Sequence, residues 1–253
     1  MKKIFTLCFG LLLLAACASK DDSEQVQNFT AEELYRQGDD YLQNTSYAKA
    51  AESFEKVELE HPYSRWAVKA KLMGAYAHYR DEKYDDAIMS LDRFIKFHPG
   101  NKDVAYAYYL KALCYYNQIN PADKDQSVTE KAYMSLRQVV LMFPDTEYAK
   151  DAAGKLNLAL DHKAGQEMSV GRYYLKNKNY LSALNRFNTV VEFYQTTPQI
   201  EEALYRQVEI YTILGLNNQA AKSARVLEHN YPKGSWTQKA LNLTASKTET
   251  EEK

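Results

Sequence analysis

Apolar residues recur three or four apart through most of the chain, and the same kind of closing phrase returns after each such stretch. Five of the six prolines end these phrases: Glu60-His61-Pro62, Lys96-Phe97-His98-Pro99, Leu141-Met142-Phe143-Pro144, Tyr194-Gln195-Thr196-Thr197-Pro198 and His229-Asn230-Tyr231-Pro232. A proline just past the last apolar position marks a helix end, because its missing N–H does least harm there. Alanine is frequent, and glycine and proline are scarce, which favours helix. The pattern therefore predicts an all-α protein built from repeated helical units, each closed by its proline.

The spacing inside the units fits the 34-residue tetratricopeptide pattern, a pair of antiparallel helices. That pattern wants a small residue at position 8, an aromatic at 11, a small one at 20, an apolar one at 24 and proline at 32. The first unit supplies Gly38, Tyr41, Ala50 and Phe54 before Pro62. The second supplies Ala75, Ala87, Leu91 and Phe94, with His78 where the aromatic belongs. The third keeps Ala132, Leu136 and Val139, and the fourth Gly171, Tyr174, Ala183, Phe187 and Val190. The fifth keeps Tyr211, Ala220, Ala224 and Leu227. A small residue at position 20 lets paired helices approach to about 8–10 Å. Helices this short are marginal alone, so the units must stack around one continuous core. The predicted architecture is a right-handed solenoid of five such pairs.

The register alanines 50, 87, 132, 183 and 220 are not evenly spaced, and two gaps exceed the repeat. One excess falls at Asn117 to Thr129 and reads as an extended loop around Pro121. The other covers Thr146 to Lys176, which reads as one or two long helices linking repeats 3 and 4. The predicted domains are 30–144 with repeats 1–3, and 145–243 with the long connection and repeats 4–5. The polar, acidic stretch 244–253 reads as a disordered tail.

The N-terminus has a different character. Lys2 and Lys3 precede the apolar stretch Ile4 to Leu14, and then comes Leu14-Ala15-Ala16-Cys17. This is a secretory leader over residues 1–16, too short to cross a hydrocarbon core that needs about 20 residues. Leu-Ala-Ala-Cys resembles a bacterial lipobox, which implies cleavage between Ala16 and Cys17. It also implies N-acylation and S-diacylglyceryl modification of Cys17. Ala18 follows in place of the aspartate that marks inner-membrane retention in many such lipoproteins, which implies the periplasmic face of the outer membrane. Residues 17–29 would then be a lipidated start and a polar tether.

Composition narrows the function. Without the leader the chain carries 30 basic and 33 acidic residues, with no basic stripe for nucleic acid. Cys114 becomes the only free thiol, so no intramolecular disulfide is possible, and its apolar setting reads as buried filler. The 21 tyrosines could be core staples or the lining of a peptide groove. The five histidines are His61, His78, His98, His162 and His229. Three stand at repeat ends, where capping the last carbonyls is the expected role. Metal-protease, phosphate-loop and serine-hydrolase motifs are absent from the sequence. Asp39-Asp40 and Asp85-Asp86 read as solvated helix faces. The expectation is a binding protein with no catalytic residues, cofactor or metal.

Three passages carry a more specific resemblance. They are Ala87 to Pro99 with its Asp92-Arg93-Phe94-Ile95 core, Phe143 to Ala152, and Val170 through Tyr173-Tyr174 to Phe187. With the lipobox, they make the chain resemble the BamD family of outer-membrane β-barrel assembly lipoproteins over nearly all its mature length. The resemblance implies C-terminal repeats that dock on a periplasmic domain of the barrel subunit BamA, through Arg186 with Asn185 beside it. It implies N-terminal repeats that bind unfolded β-barrel outer-membrane proteins. Candidate groove residues there are His61, Tyr63, Tyr76 and Tyr79, for which core packing is an equal account. Other lipoproteins of the assembly complex are further implied partners, and the lipid anchor a link to the membrane. The competing expectation is a periplasmic repeat lipoprotein that scaffolds peptidoglycan enzymes.

Overall fold

The computed structural model describes residues 28–121 and 124–251, with side chains through residue 245. The leader, Cys17 and the tether up to residue 27 therefore lie outside the described residues. The regular elements are helices: α1 (Ala31–Gln43), α2 (Tyr47–Glu60), α3 (Arg65–Arg80), α4 (Tyr84–Phe97), α5 (Val104–Tyr116) and α6 (Ser127–Met142). The long α7 (Glu147–Lys176) follows, then α8 (Tyr180–Phe193), α9 (Ile200–Ile213), α10 (Asn217–Asn230) and α11 (Ser235–Glu251). Each helix packs on its chain neighbours, and α1, α3, α5 and α7 also contact in succession. The fold is an all-α solenoid of five helix pairs, with α11 covering the last pair through contacts with α9 and α10.

Local chemistry sets the helix ends. Thr30 and Glu33 form a capping box at α1. Ser64 Oγ accepts from the Trp66 N–H at the start of α3, and Thr146 Oγ1 from that of Ala149 at the start of α7. Pro62, Pro99, Pro144 and Pro232 stand two residues past helix ends, while Pro198 lies closer to the start of α9 than to the end of α8. The side chains of His61 and His98 are used otherwise than as caps. At His61 and His98 it is the backbone N–H that bonds back to Val57 and Phe94 carbonyls, at 3.0 and 2.8 Å. The His61 ring instead reaches the Phe29 carbonyl at 2.8 Å, and the His98 ring packs on Phe94. Within pairs 1, 2, 4 and 5 the turn passes through the left-handed region, at Thr45, Glu82, Lys178 and Gly215.

The pairs close by complementary volumes. Gly38 faces the Phe54 ring and Gly171 the Phe187 ring, so closely that a Cβ on either glycine would come within 3 Å of ring carbons. Pairs two and three instead place Ala75 with Leu91 and Ala112 with Leu136. Pair five reverses the order, with Val208 against Ala224. The register alanines 50, 87, 132, 183 and 220 are all buried. Large on one helix thus meets small on the other, and interhelix spacing is kept. Cys114 is buried in the second cluster, where desolvation pushes its thiol up to about 12.

α7 is one unbroken helix of 30 residues. Its first half packs on α5 and α6 and its second half on α8. It is at once the cover of the third pair and the first helix of the fourth. Lys163 sits at the changeover: it pairs with Glu130 of α6 and lies 5.8 Å from the Tyr194 ring at the end of α8. The expected disordered tail is corrected in part. α11 continues through residue 251 because nothing between Ser235 and Glu251 breaks a helix, and Thr244 Oγ1 bonds back to the Ala240 carbonyl at 3.2 Å.

Candidate partner-binding site

Arg186 and Asn185 lie next to each other on the exposed face of α8, one turn from the small residue that sets the α7–α8 approach. Ala183 is fully buried against α7, whereas Asn185 and Arg186 are both exposed. Arg186 Nη1 donates to Glu167 of α7 at 3.1 Å. The Glu167 side chain is mostly covered while that of Arg186 is 44 % exposed. One side of the arginine is thus fixed by a neighbour, and the rest of its planar fork is open to a carboxylate from outside. A shallow recess of about 240 Å³ adjoins it, lined by Tyr174, Ser182, Asn185, Arg186 and Thr189. Such a half-exposed ion pair adds little stability.

A second ion-pair chain stiffens the same half. Arg172 donates to Glu202 at 3.0 Å, and Arg206 joins Glu202 to Glu209 at 3.2 and 2.8 Å. Burial opposes the charge on Arg206, but its bonds to these two glutamates leave its pKa raised. From Met168 to Val191 the sequence has four cations and no carboxylate. Glu167 and Glu192 bound that stretch, and two of its cations, Arg172 and Arg186, are paired with Glu202 and Glu167.

The four candidate groove residues do not form one cluster. His61 and Tyr63 sit at the α2–α3 junction, where Tyr63 is fully exposed and His61 ties down Phe29. Tyr76 and Tyr79 lie near the far end of α3, about 22 Å away at 1.5 Å rise per residue. Their rings pack against the second core cluster, and both hydroxyls are engaged. Arg80 donates to Tyr76 at 2.8 Å, and Asn117 to Tyr79 at 3.0 Å. Sequence reasoning missed the rings that extend this surface, Tyr106, Tyr109 and Tyr148. Tyr148 is 5.5 Å from Tyr106 and 5.4 Å from Tyr109. Burial raises the Tyr106 phenol, and the Tyr109 hydroxyl donates to Asp151. The arrangement is a continuous aromatic wall across α3, α5 and α7.

No group of residues among those described could hold a metal ion. No helix among them is long and apolar enough to cross a membrane. The YfiO family, described as an outer membrane lipoprotein, matches residues 27–227. The outer membrane protein assembly factor BamD of Rickettsia prowazekii is 45% identical over 232 residues, covering 92% of each chain. The BamD of Caulobacter vibrioides is 43% identical, covering 91% of this chain and 76% of its own. That of Neisseria meningitidis serogroup A is 36% identical, covering 92% of each. With a helix-pair solenoid for its fold and relatives at this identity spanning nearly its whole length, the chain belongs to the BamD family of outer membrane protein assembly factors.

Proposed function

We propose that the chain is a non-enzymatic lipoprotein of the outer-membrane β-barrel assembly complex, held at the periplasmic face of the outer membrane through Cys17. In this reading α7–α10 dock on a periplasmic domain of BamA, and Arg186 meets a carboxylate of that partner with Asn185 beside it. The first three pairs offer unfolded barrel proteins their aromatic wall and the α2–α3 junction, and other lipoproteins of the complex complete the assembly. The observation that carries the reading is the near-full-length similarity to BamD chains. The exposed arginine, held on one side by Glu167 beside a polar recess, supports the docking site. A solenoid whose surface carries ion pairs and aromatic rings supports a binding role.

The test is affinity capture from detergent-solubilised envelopes, wild type beside Arg186→Ala, read by mass spectrometry. Wild type is expected to recover the large barrel subunit, and the variant to lose most of it. Recovery of cell-wall synthases or hydrolases instead would replace this reading with the peptidoglycan scaffold and return Arg186 to an ordinary surface residue.

A further inference from the structure

The first three pairs carry their most exposed large apolar side chains largely along one edge. The last turns of α2, α4 and α6 present Leu59, Phe97, Leu141 and Met142, each at least half exposed. Phe29 and the fully exposed Tyr63 flank them. Antiparallel pairing puts these turns at one end of the wall. The opposite end, at residues 44–46, 81–83 and 117–121, shows no large apolar side chain of comparable exposure. The chain also enters the fold at the apolar edge, because the Phe29 carbonyl is held by His61 at the end of α2. Eleven residues separate Cys17 from Phe29 in sequence, a span of at most about 40 Å.

The last two pairs cannot share that edge. Lys163 meets Glu130 near the start of α6 and Tyr194 at the end of α8. The end of α8 is therefore level with the far end of the third pair. From residue 147 to residue 163 α7 climbs about 24 Å. Phe193, 71 % exposed, is displaced by that distance from Phe97 and Leu141.

We propose that the edge formed by the last turns of α2, α4 and α6 lies on the lipid surface that holds Cys17. Its aromatic and aliphatic side chains enter the interface, and α8–α11 project away from it. The proposal rests on the lipid-anchor reading. Aromatic rings suit the interface because one side of each is apolar and the other tolerates headgroups and water. Exposed Glu60, Arg65, Lys96, Lys102 and Asp145 border the same edge with both signs of charge. The attraction is thus apolar, and added salt leaves it unchanged. A lipid chain supplies the main hold, and the edge sets the orientation.

The experiment uses the full lipidated chain in phosphatidylethanolamine–phosphatidylglycerol vesicles. Phe97→Cys, Leu141→Cys and Phe193→Cys each carry an environment-sensitive fluorophore, and buried Cys114 stays unlabelled. Labels at 97 and 141 are expected to shift to the blue and lose emission to spin-labelled lipid, while the label at 193 reports water. Vesicle-bound protein with all three labels in water would overturn the edge and leave the anchor standing. Protein that fails to float with the vesicles would overturn both. Blue-shifted labels that spin-labelled lipid does not quench would assign the edge to a protein contact and also overturn the proposal.

Discussion

The complementary volumes across each helix pair make a quantitative prediction at Gly171. An alanine Cβ there would lie 2.6 Å from Phe187 Cε1, 2.9 Å from Cζ and 3.1 Å from Cδ1, well inside the 3.5–4.0 Å of ordinary carbon contact. The ring is fully buried and cannot swing out. Overpacking of this kind costs about 1–3 kcal/mol, and replacing a helix-interior glycine returns about 1 kcal/mol. Gly171→Ala should therefore destabilise by roughly 0–2 kcal/mol. Phe187→Leu alone should cost about 1–3 kcal/mol by leaving a void. The double variant recreates the Ala75–Leu91 pairing of the second repeat, so the two changes should relieve each other by about 0.5–3 kcal/mol. Thermal unfolding followed by circular dichroism at 222 nm reads this at about 2–4 °C per kcal/mol for a chain of this size. If the double variant lost the sum of the two single losses, the close approach at Gly171 would not be what sets the α7–α8 spacing.

Two further predictions concern stability. Thr45 holds a φ of 55° in the α1–α2 turn, a conformation that a β-branched residue resists and asparagine tolerates. Thr45→Asn should raise stability by about 0.5–1 kcal/mol, and an unchanged or lower urea midpoint would contradict that turn geometry. Asp151 accepts from Lys155 at 2.6 Å and from the Tyr109 hydroxyl, and these bonds hold its carboxyl below the usual range. A carboxyl depressed in the folded state stabilises above its unfolded value of about 4, and that contribution is lost as pH falls through the folded value. Asp151→Asn should flatten the acid side of a melting-temperature profile; a profile parallel to that of wild type would show that the pair contributes nothing.

Much of this fold was legible in the sequence because packing and backbone limits act locally. Small residues at positions 8 and 20 and proline at 32 each answer to a contact or backbone limit inside one pair. The run from Thr146 to Lys176 read as one or two long helices because it lacks proline, and the structure makes it one. What was not legible depends on where units sit in space. The family resemblance grouped His61 and Tyr63 with Tyr76 and Tyr79, yet a straight helix separates the two sets by about 22 Å. The partner of Arg186 was equally hidden, because Glu167 comes near it only when α7 and α8 pair. Polar composition suggested disorder after residue 244, but composition reports burial, and an exposed helix end needs little.

The central claim is that this chain serves the assembly of outer-membrane barrels, and depletion in the native cell tests it most directly. Placing expression under a repressible promoter and following heat-modifiable barrel proteins on unboiled gels gives the readout. The account predicts that folded barrels decline and unfolded precursors accumulate as the chain is depleted, with Arg186→Ala failing to restore them. Undiminished folded barrels after the chain has disappeared would contradict it.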